Sequence, residues 1–125
     1  MAEKEKDPKI VVEEDGIGVI QIADDVIASI VGLAVTEVDG VSRLTGGITR
    51  DIIAKLGKNT LSKGVSVVIE GKEVKVDLSI EVKFGYNILD VSHNIQERVK
   101  NALLTMTGLK CRLVNVKVSS VDFGE

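Results

Sequence analysis

Residues 74–84, with the sequence VKVDLSIEVKF, decide the fold. Apolar side chains occupy every second position, and charged or small polar side chains occupy the positions between them. Because successive side chains of a strand point to opposite faces of a sheet, this alternation predicts a strand with one buried and one solvated face. Residues 65–69 alternate in the same way and are followed by the turn sequence EGKE at 70–73, so the two stretches together predict a β-hairpin.

A long amphipathic helix is predicted directly after this hairpin, over residues 88–107. Asn87 is a suitable N-cap, and Gly108 is the expected left-handed residue after the last turn. A final strand is predicted over residues 112–121, with alternate valines facing the core. The apolar stripe of the helix consists of Ile88, Val91, Ile95, Val99, Ala102, Leu103 and Met106.

Before the hairpin, the sequence predicts a strand over 17–22, a helix and a short strand over 41–44. Asp24 and Asp25 lie in the first turn of this helix, where carboxylates oppose the positive end of the helix dipole. We therefore expect an α+β domain whose mixed, mostly antiparallel sheet carries two long helices on one face and a short amphipathic helix. The apolar positions of the first helix are Ile22, Ala23, Val26, Ile27, Ile30, Val31, Ala34, Val35 and Val38.

The length of 125 residues is typical of one domain. Residues 1–9 are charged, contain the sole proline and lack apolar periodicity, so we expect a disordered lead followed by a single domain over 10–125. No stretch reaches the roughly 18 apolar residues of a membrane span, and the N-terminus lacks the apolar core of a signal peptide. These features predict a cytoplasmic protein.

Charge is distributed unevenly along the chain. Residues 10–40 contain seven acidic side chains and no Lys or Arg, whereas residues 41–64 contain five basic side chains and one acid. This asymmetry indicates either contact between the two segments in different copies of the chain or an anionic partner at the basic segment. Two solvated surfaces without a partner are the equally simple alternative.

Residues 48–56 are predicted to form a short amphipathic helix after Gly46-Gly47. Arg50, Lys55 and Lys58 lie away from its apolar face, a pattern that suits a partner groove or an anionic surface. These three residues are the candidate partner-binding residues. A surface helix that only covers the sheet is the alternative interpretation.

His93 and Cys111 are the only histidine and the only cysteine. A cysteine-rich zinc site, a multi-histidine metal centre and an internal disulfide are therefore excluded. His93 could approach Asp90 and Glu97 on the polar face of its helix, but such (i, i+3) and (i, i+4) pairs are ordinary on a solvated face. Gly46-Gly47 lacks the Gly-Lys-Ser/Thr ending of a phosphate-binding loop. The sequence predicts no catalytic, cofactor or metal site, and hence a protein that is not an enzyme.

Five ordered sequence blocks resemble the alkaline-shock, envelope-stress-response family of Gram-positive bacteria (the YloU-like domain). The resemblance covers roughly residues 10–123, and the order and spacing of the blocks are more specific than any one block. The blocks are GVSRLTGG at 40–47, LSKGVSV at 61–67, FGYNI at 84–88, IQERVKNA at 95–102 and MTGLKCRLVNVKV at 106–118.

The resemblance implies a non-enzymatic scaffold or adaptor in cell-envelope homeostasis, without cofactors or established catalytic residues. It further implies self-association and membrane association through a separate membrane-anchored protein partner. A regulatory partner of a lipid or fatty-acid synthesis enzyme is the alternative, since some relatives are linked to fatty-acid metabolism. A small KH-like RNA-binding module is a third interpretation, which the missing GxxG loop between helices and the acidic charge balance disfavour.

Overall fold

The structure is a computed structural model that describes residues 9–14, 16–44 and 64–124. These residues form strands and helices in the order strand, strand, helix, three strands, helix and strand. The elements are β1 (Lys9–Glu14), β2 (Gly18–Ala23), α1 (Asp24–Thr36), β3 (Val41–Leu44), β4 (Val65–Glu70), β5 (Glu73–Lys83), α2 (Ile88–Thr107) and β6 (Lys110–Asp122).

Strand β5 lies at the centre of a four-stranded sheet. β4 pairs antiparallel with its first half, with Val65 opposite Leu78, and β3 pairs antiparallel with its second half, with Leu44 opposite Ile80. β6 runs parallel to β5 along the whole of the other edge. One parallel and two antiparallel pairs make the sheet mixed and mostly antiparallel, as the sequence predicted.

The connections follow from these pairings. Gly71 has a φ of 64° in the two-residue loop between β4 and β5, which is the glycine-first geometry of a type II′ hairpin turn. A parallel partner cannot be reached by such a tight turn, so the chain returns from β5 to β6 through α2. The alternation in β5 and the helical period after it therefore specify a β-helix-β unit.

Both helices cover the same face of the sheet. α1 packs on β3 and β4, α2 packs on β6, and the two helices contact each other. The prediction of an α+β domain with two long helices on one face is confirmed. As far as the described residues go, the core beneath the helices is entirely apolar; its side chains on β5 are Val74, Val76, Leu78, Ile80 and Val82.

The buried stripes of the helices are shorter than predicted. In α2 the fully buried stripe extends from Val91 to Leu103, while Ile88 in the first turn and Met106 in the last are 43% and 67% exposed. In α1, Val26 is 49% exposed although it fits the apolar period. A period of 3.6 residues identifies the face of a helix but not the length over which neighbouring elements cover that face.

The predicted ends of α2 are confirmed. The side chain of Asn87 accepts a hydrogen bond from the backbone N–H of Asp90 at 2.9 Å, as an N-cap does. Gly108 has a φ of 75° and donates its N–H to the carbonyl of Leu104 at 2.9 Å. Both residues satisfy backbone groups that a helix end otherwise leaves unpaired.

β1 and β2 form a separate two-stranded antiparallel sheet, in which Lys9 is opposite Ala23 and Glu14 is opposite Gly18. The sequence predicted β2 but not β1, because residues 10–14 are an apolar run followed by two acids and show no strand alternation. The predicted amphipathic helix over 48–56 lies outside the described residues.

Candidate interaction surfaces

The structure describes only two of the residues that the sequence analysis singled out, His93 and Cys111. Arg50, Lys55 and Lys58 lie outside the described residues. His93 is exposed on α2, as predicted, and no group of three His, Cys, Asp or Glu side chains suited to a metal ion occurs in the described part of the chain.

Cys111 is buried at the start of β6, where it belongs to the core. Burial raises the pKa of its thiol, although the charge of Lys100 and a hydrogen bond from Sγ to the carbonyl of Leu113 act in the opposite direction. A raised pKa keeps the thiol protonated at neutral pH, and the thiolate is the nucleophilic form. The environment of Cys111 is therefore that of an unreactive core cysteine.

All three aromatic residues of the chain, Phe84, Tyr86 and Phe123, lie at one end of the sheet. The rings of Phe84 and Phe123 are 5.3 Å apart between centroids and inclined by 34°. The three residues are 69%, 48% and 66% exposed, respectively. Aromatic side chains usually supply the core of a domain, so their complete exclusion from this core is informative. We call this group the aromatic end.

The parallel pairing of β5 and β6 creates the aromatic end. Lys83 and Asp122 are opposite each other, so the next residue of each strand, Phe84 and Phe123, leaves the sheet at the same place. The N–H of Phe84 donates to the carbonyl of Asp122 at 2.8 Å and holds the two strand ends together. A shallow cleft of about 350 Å³ opens there, lined by these four residues together with Tyr86 and Gly124.

Further apolar surface continues into the first turn of α2. Ile88 is 43% exposed and Leu89 is 68% exposed, and both follow Tyr86 closely in the chain. Exposed apolar residues occur singly on most proteins, whereas several aromatic and aliphatic side chains at one place make a candidate interaction site. The sequence analysis missed this surface because Phe84 and Phe123 are distant in the sequence and Ile88 fits the buried stripe.

A carboxylate borders the aromatic end. The hydroxyl of Ser42 donates to Asp122 and lowers its pKa, and the N–H of Gly124, at 2.9 Å, acts in the same direction. Burial opposes these two hydrogen bonds and raises the pKa, and the smaller effects of the Arg43 and Lys83 charges lower it again. The cleft therefore combines exposed rings with a fixed negative charge at its rim.

The sheet face opposite the helices is polar. Arg43 Nε lies 3.2 Å from Glu81 Oε1, forming an ion pair without hydrogen-bond geometry, and Asn115 Nδ2 donates to Asp77 Oδ1 at 2.9 Å. A groove of about 540 Å³ crosses this face between β4 and β6. Cross-strand pairs of this kind are normal on the solvated face of a sheet. The open face suits water better than an apolar partner.

A polar open face, an apolar core without buried charge and an exposed aromatic end characterise the described part of this α+β domain. The chain belongs to the ASP23 family (a protein name, not a residue of this chain), whose description is "cell envelope-related function" and whose model matches residues 12–123. The resemblance to the alkaline-shock, envelope-stress family is thereby confirmed. The described residues contain no helix long and apolar enough to span a membrane.

Curated relatives support this assignment. The chain is 32% identical over 111 residues to the uncharacterized protein YqhY of Bacillus subtilis (strain 168), covering 89% of this chain and 82% of YqhY. It is 33% identical over 110 residues to YloU of the same organism, covering 83% and 88% of the two chains. It is also 33% identical over 109 residues to a homologue of the stress response regulator gls24 of Streptococcus pyogenes serotype M3. That match covers 86% of this chain and 61% of the gls24 homologue.

Among solved structures, a zinc form of MamM CTD matches with a TM-score of 0.49 and 15% identity, covering 82% of this chain and 90% of that one. A similarity of this size carries no functional argument.

Proposed function

We propose that this protein is a non-enzymatic, cytoplasmic adaptor of the cell-envelope stress response that acts by binding other proteins near the membrane. The family description supports the envelope connection, and the name of the gls24 stress response regulator homologue supports the stress connection. The observation that carries the proposal is the aromatic end, where Phe84, Tyr86 and Phe123 are exposed together.

The energetics of association favour such a surface. An aromatic side chain contributes roughly 150–250 Å² of contact area, and few rotatable bonds are fixed when it is buried. The rings of Phe84 and Phe123 already contact each other, which reduces the conformational entropy that they would lose on binding. We propose that the cleft receives an apolar segment of a membrane-anchored protein, with Asp122 favouring a basic residue beside that segment.

An affinity pull-down from gently crosslinked native cells tests the adaptor function, with membrane and soluble fractions analysed separately. The unmodified chain should recover a membrane-anchored protein, and the double variant Phe84→Ser/Phe123→Ser should lose it. Leu104→Ser/Met106→Ser is the matched control, because these residues are 59% and 67% exposed near the other end of α2. Equal recovery by both double variants would contradict a role for the aromatic end.

The same experiment addresses the alternative function. Recovery of a soluble lipid-synthesis enzyme, with nothing from the membrane fraction, would replace the adaptor by a regulatory partner of that enzyme. Loss of this enzyme with Phe84→Ser/Phe123→Ser would still assign the aromatic end as the binding surface.

We retain Arg50, Lys55 and Lys58 as a second proposed partner-binding set, on the strength of their sequence pattern. Reversal of all three to Glu should leave the far-UV circular dichroism spectrum intact and weaken association with the partner or between copies. Unchanged association in sedimentation experiments would remove these residues from the proposal.

A further inference from the structure

Asp122 joins three separate parts of the chain at the aromatic end. Its backbone carbonyl accepts the N–H of Phe84 at 2.8 Å, which ties the end of β6 to the residue that follows β5. Its side chain accepts the hydroxyl of Ser42, on β3, through Oδ2. The other carboxylate oxygen, Oδ1, accepts the N–H of Gly124 at 2.9 Å. One residue therefore holds β3, the end of β5 and the residues after β6 in a fixed relation.

The hydrogen bond from Ser42 crosses the sheet. β3 and β6 lie on opposite sides of β5, and neighbouring strands are about 4.8 Å apart, so this bond spans two strand spacings. It is not part of the backbone pairing, which joins β3 to β5 and β6 to β5 separately. Removal of the Ser42 hydroxyl should therefore leave the strands paired while it frees one side of the Asp122 carboxylate.

The position of the Phe123 ring depends on that carboxylate. Phe123 lies beyond Asp122, the last residue of β6, so the ladder between β5 and β6 does not include it. The bond from Gly124 back to the Asp122 side chain closes an Asx turn around Phe123, and Gly124 has a φ of 85° there. The direction in which Phe123 leaves the sheet, and hence its contact with Phe84, follows from the orientation of the Asp122 side chain.

We propose that Asp122 is the positioning residue of the aromatic end, and that the Ser42 hydroxyl holds its carboxylate in the orientation that keeps the Phe123 ring against Phe84. This inference rests on the proposed function, since it assigns to Ser42 and Asp122 the ring geometry that the partner protein recognises. Two rings held in contact before binding lose less conformational entropy on association than two rings that move separately.

Fluorine NMR of the purified full chain tests the ring geometry. The chain contains two phenylalanines, so labelling with fluorinated phenylalanine gives two resonances, which Phe84→Leu and Phe123→Leu assign. Ser42→Ala removes the hydroxyl and Ser42→Thr keeps it. The Phe123 resonance should move towards its position in the urea-unfolded chain in Ser42→Ala and should stay in place in Ser42→Thr. An unchanged Phe123 resonance in Ser42→Ala would overturn the proposal.

The crosslinked pull-down then measures the effect on binding. The concentration of chain that gives half-maximal recovery of the membrane-anchored protein should rise about fivefold with Ser42→Ala, because one further side chain must be immobilised on binding. Ser42→Thr should restore recovery to that of the unmodified chain. Equal recovery by Ser42→Ala and Ser42→Thr would show that the ring geometry does not matter for the partner, against the proposal.

Asp122→Asn separates position from charge. Its amide oxygen can accept the N–H of Gly124 and its amide N–H can donate to the Ser42 oxygen, so the Phe123 resonance should stay in place although the charge is lost. A displaced resonance in this variant would show that the charge, and not the two hydrogen bonds, sets the ring position. Weaker recovery with an unmoved resonance reports the basic residue that the proposed function places beside Asp122.

The two proposals fail in different ways. If the unmodified chain recovers no membrane-anchored protein, the adaptor function fails, and the Phe123 resonance still decides whether Asp122 positions the ring. Far-UV circular dichroism establishes that each variant is folded. If Ser42→Ala is not, Asp122→Ala replaces it, because the backbone carbonyl at 122 still accepts the N–H of Phe84 while both side-chain bonds are lost.

Discussion

Gly40 is a position at which one added methyl group should strongly destabilise the fold. Its φ is 95°, and it is buried between α1 and β3. Its carbonyl accepts the N–H of Lys83 at 2.8 Å, which fixes the start of β3 against β5. A Cβ atom here would lie 2.7 Å from both Cδ2 of Tyr86 and Cγ2 of Val91, well inside van der Waals contact.

The cost of Gly40→Ala has two parts. A residue with a Cβ in left-handed backbone geometry costs about 1–2 kcal/mol, and overpacking a filled site costs about 1–3 kcal/mol more. The free energy of unfolding should therefore fall by about 2–5 kcal/mol. Tyr86 is half exposed and has room to turn aside, whereas Val91 is buried in the core, so Val91 supplies most of the packing cost.

Gly71→Ala separates the two parts. Gly71 has a φ of 64°, but a Cβ atom added there would have no heavy atom within 4 Å, so only the backbone cost of about 1–2 kcal/mol applies. Urea unfolding followed by far-UV circular dichroism measures both variants. Tyr86 is the one tyrosine of a chain without tryptophan, so tyrosine emission also reports the site itself. Equal destabilisation by Gly40→Ala and Gly71→Ala would refute the close contact with Tyr86 and Val91.

Two further predictions test a helix cap and a titrating carboxylate. Asn87→Ala should lower the free energy of unfolding by about 1 kcal/mol through loss of the α2 cap. Asn101 is exposed inside the same helix, so Asn101→Ala should leave this free energy unchanged or raise it slightly. Urea unfolding measures both variants. Because Ser42 lowers the pKa of Asp122, its hydrogen bond stabilises the fold above the ordinary carboxyl pKa of about 3.9, and this contribution disappears as the pH falls through the lower folded value. Urea midpoints of the unmodified chain and Ser42→Ala should therefore differ at pH 7 and converge in acid; parallel pH profiles would argue against the assignment.

Local signals in the sequence were sufficient to predict the central strand of the sheet and α2. Alternation over residues 74–82 specified which face of β5 is buried, because the period of a strand fixes side-chain direction. Phe84 continues the alternation but lies beyond the end of β5 and is 69% exposed. Asn87 and Gly108 marked the ends of α2 through hydrogen bonds within a few residues of each end. β1 was missed because its identity depends on pairing with β2, and residues 10–14 do not alternate.

The candidate interaction surfaces depend on contacts between distant parts of the chain. Phe84 and Phe123 meet only because β5 and β6 are parallel and in a particular register, which no pattern in either strand specifies. The sequence also assigned Ile88 to the buried stripe, since it does not show where coverage of a helix ends. The basic set Arg50, Lys55 and Lys58 remains a prediction from charge and period alone.

The sequence by itself determined the class of the domain, its central hairpin, the limits of its long helix and its family resemblance, because these rest on local periodicity, capping and ordered motifs. Tertiary structure alone decided how the strands are ordered and which apolar side chains of the described residues are exposed. Among residues 9–14, 16–44 and 64–124, β6 lies along one side of β5, and β3 and β4 share the other side. The surface that is free for a partner depends on which helices and strands pack against one another. The sequence of a single segment does not contain that information.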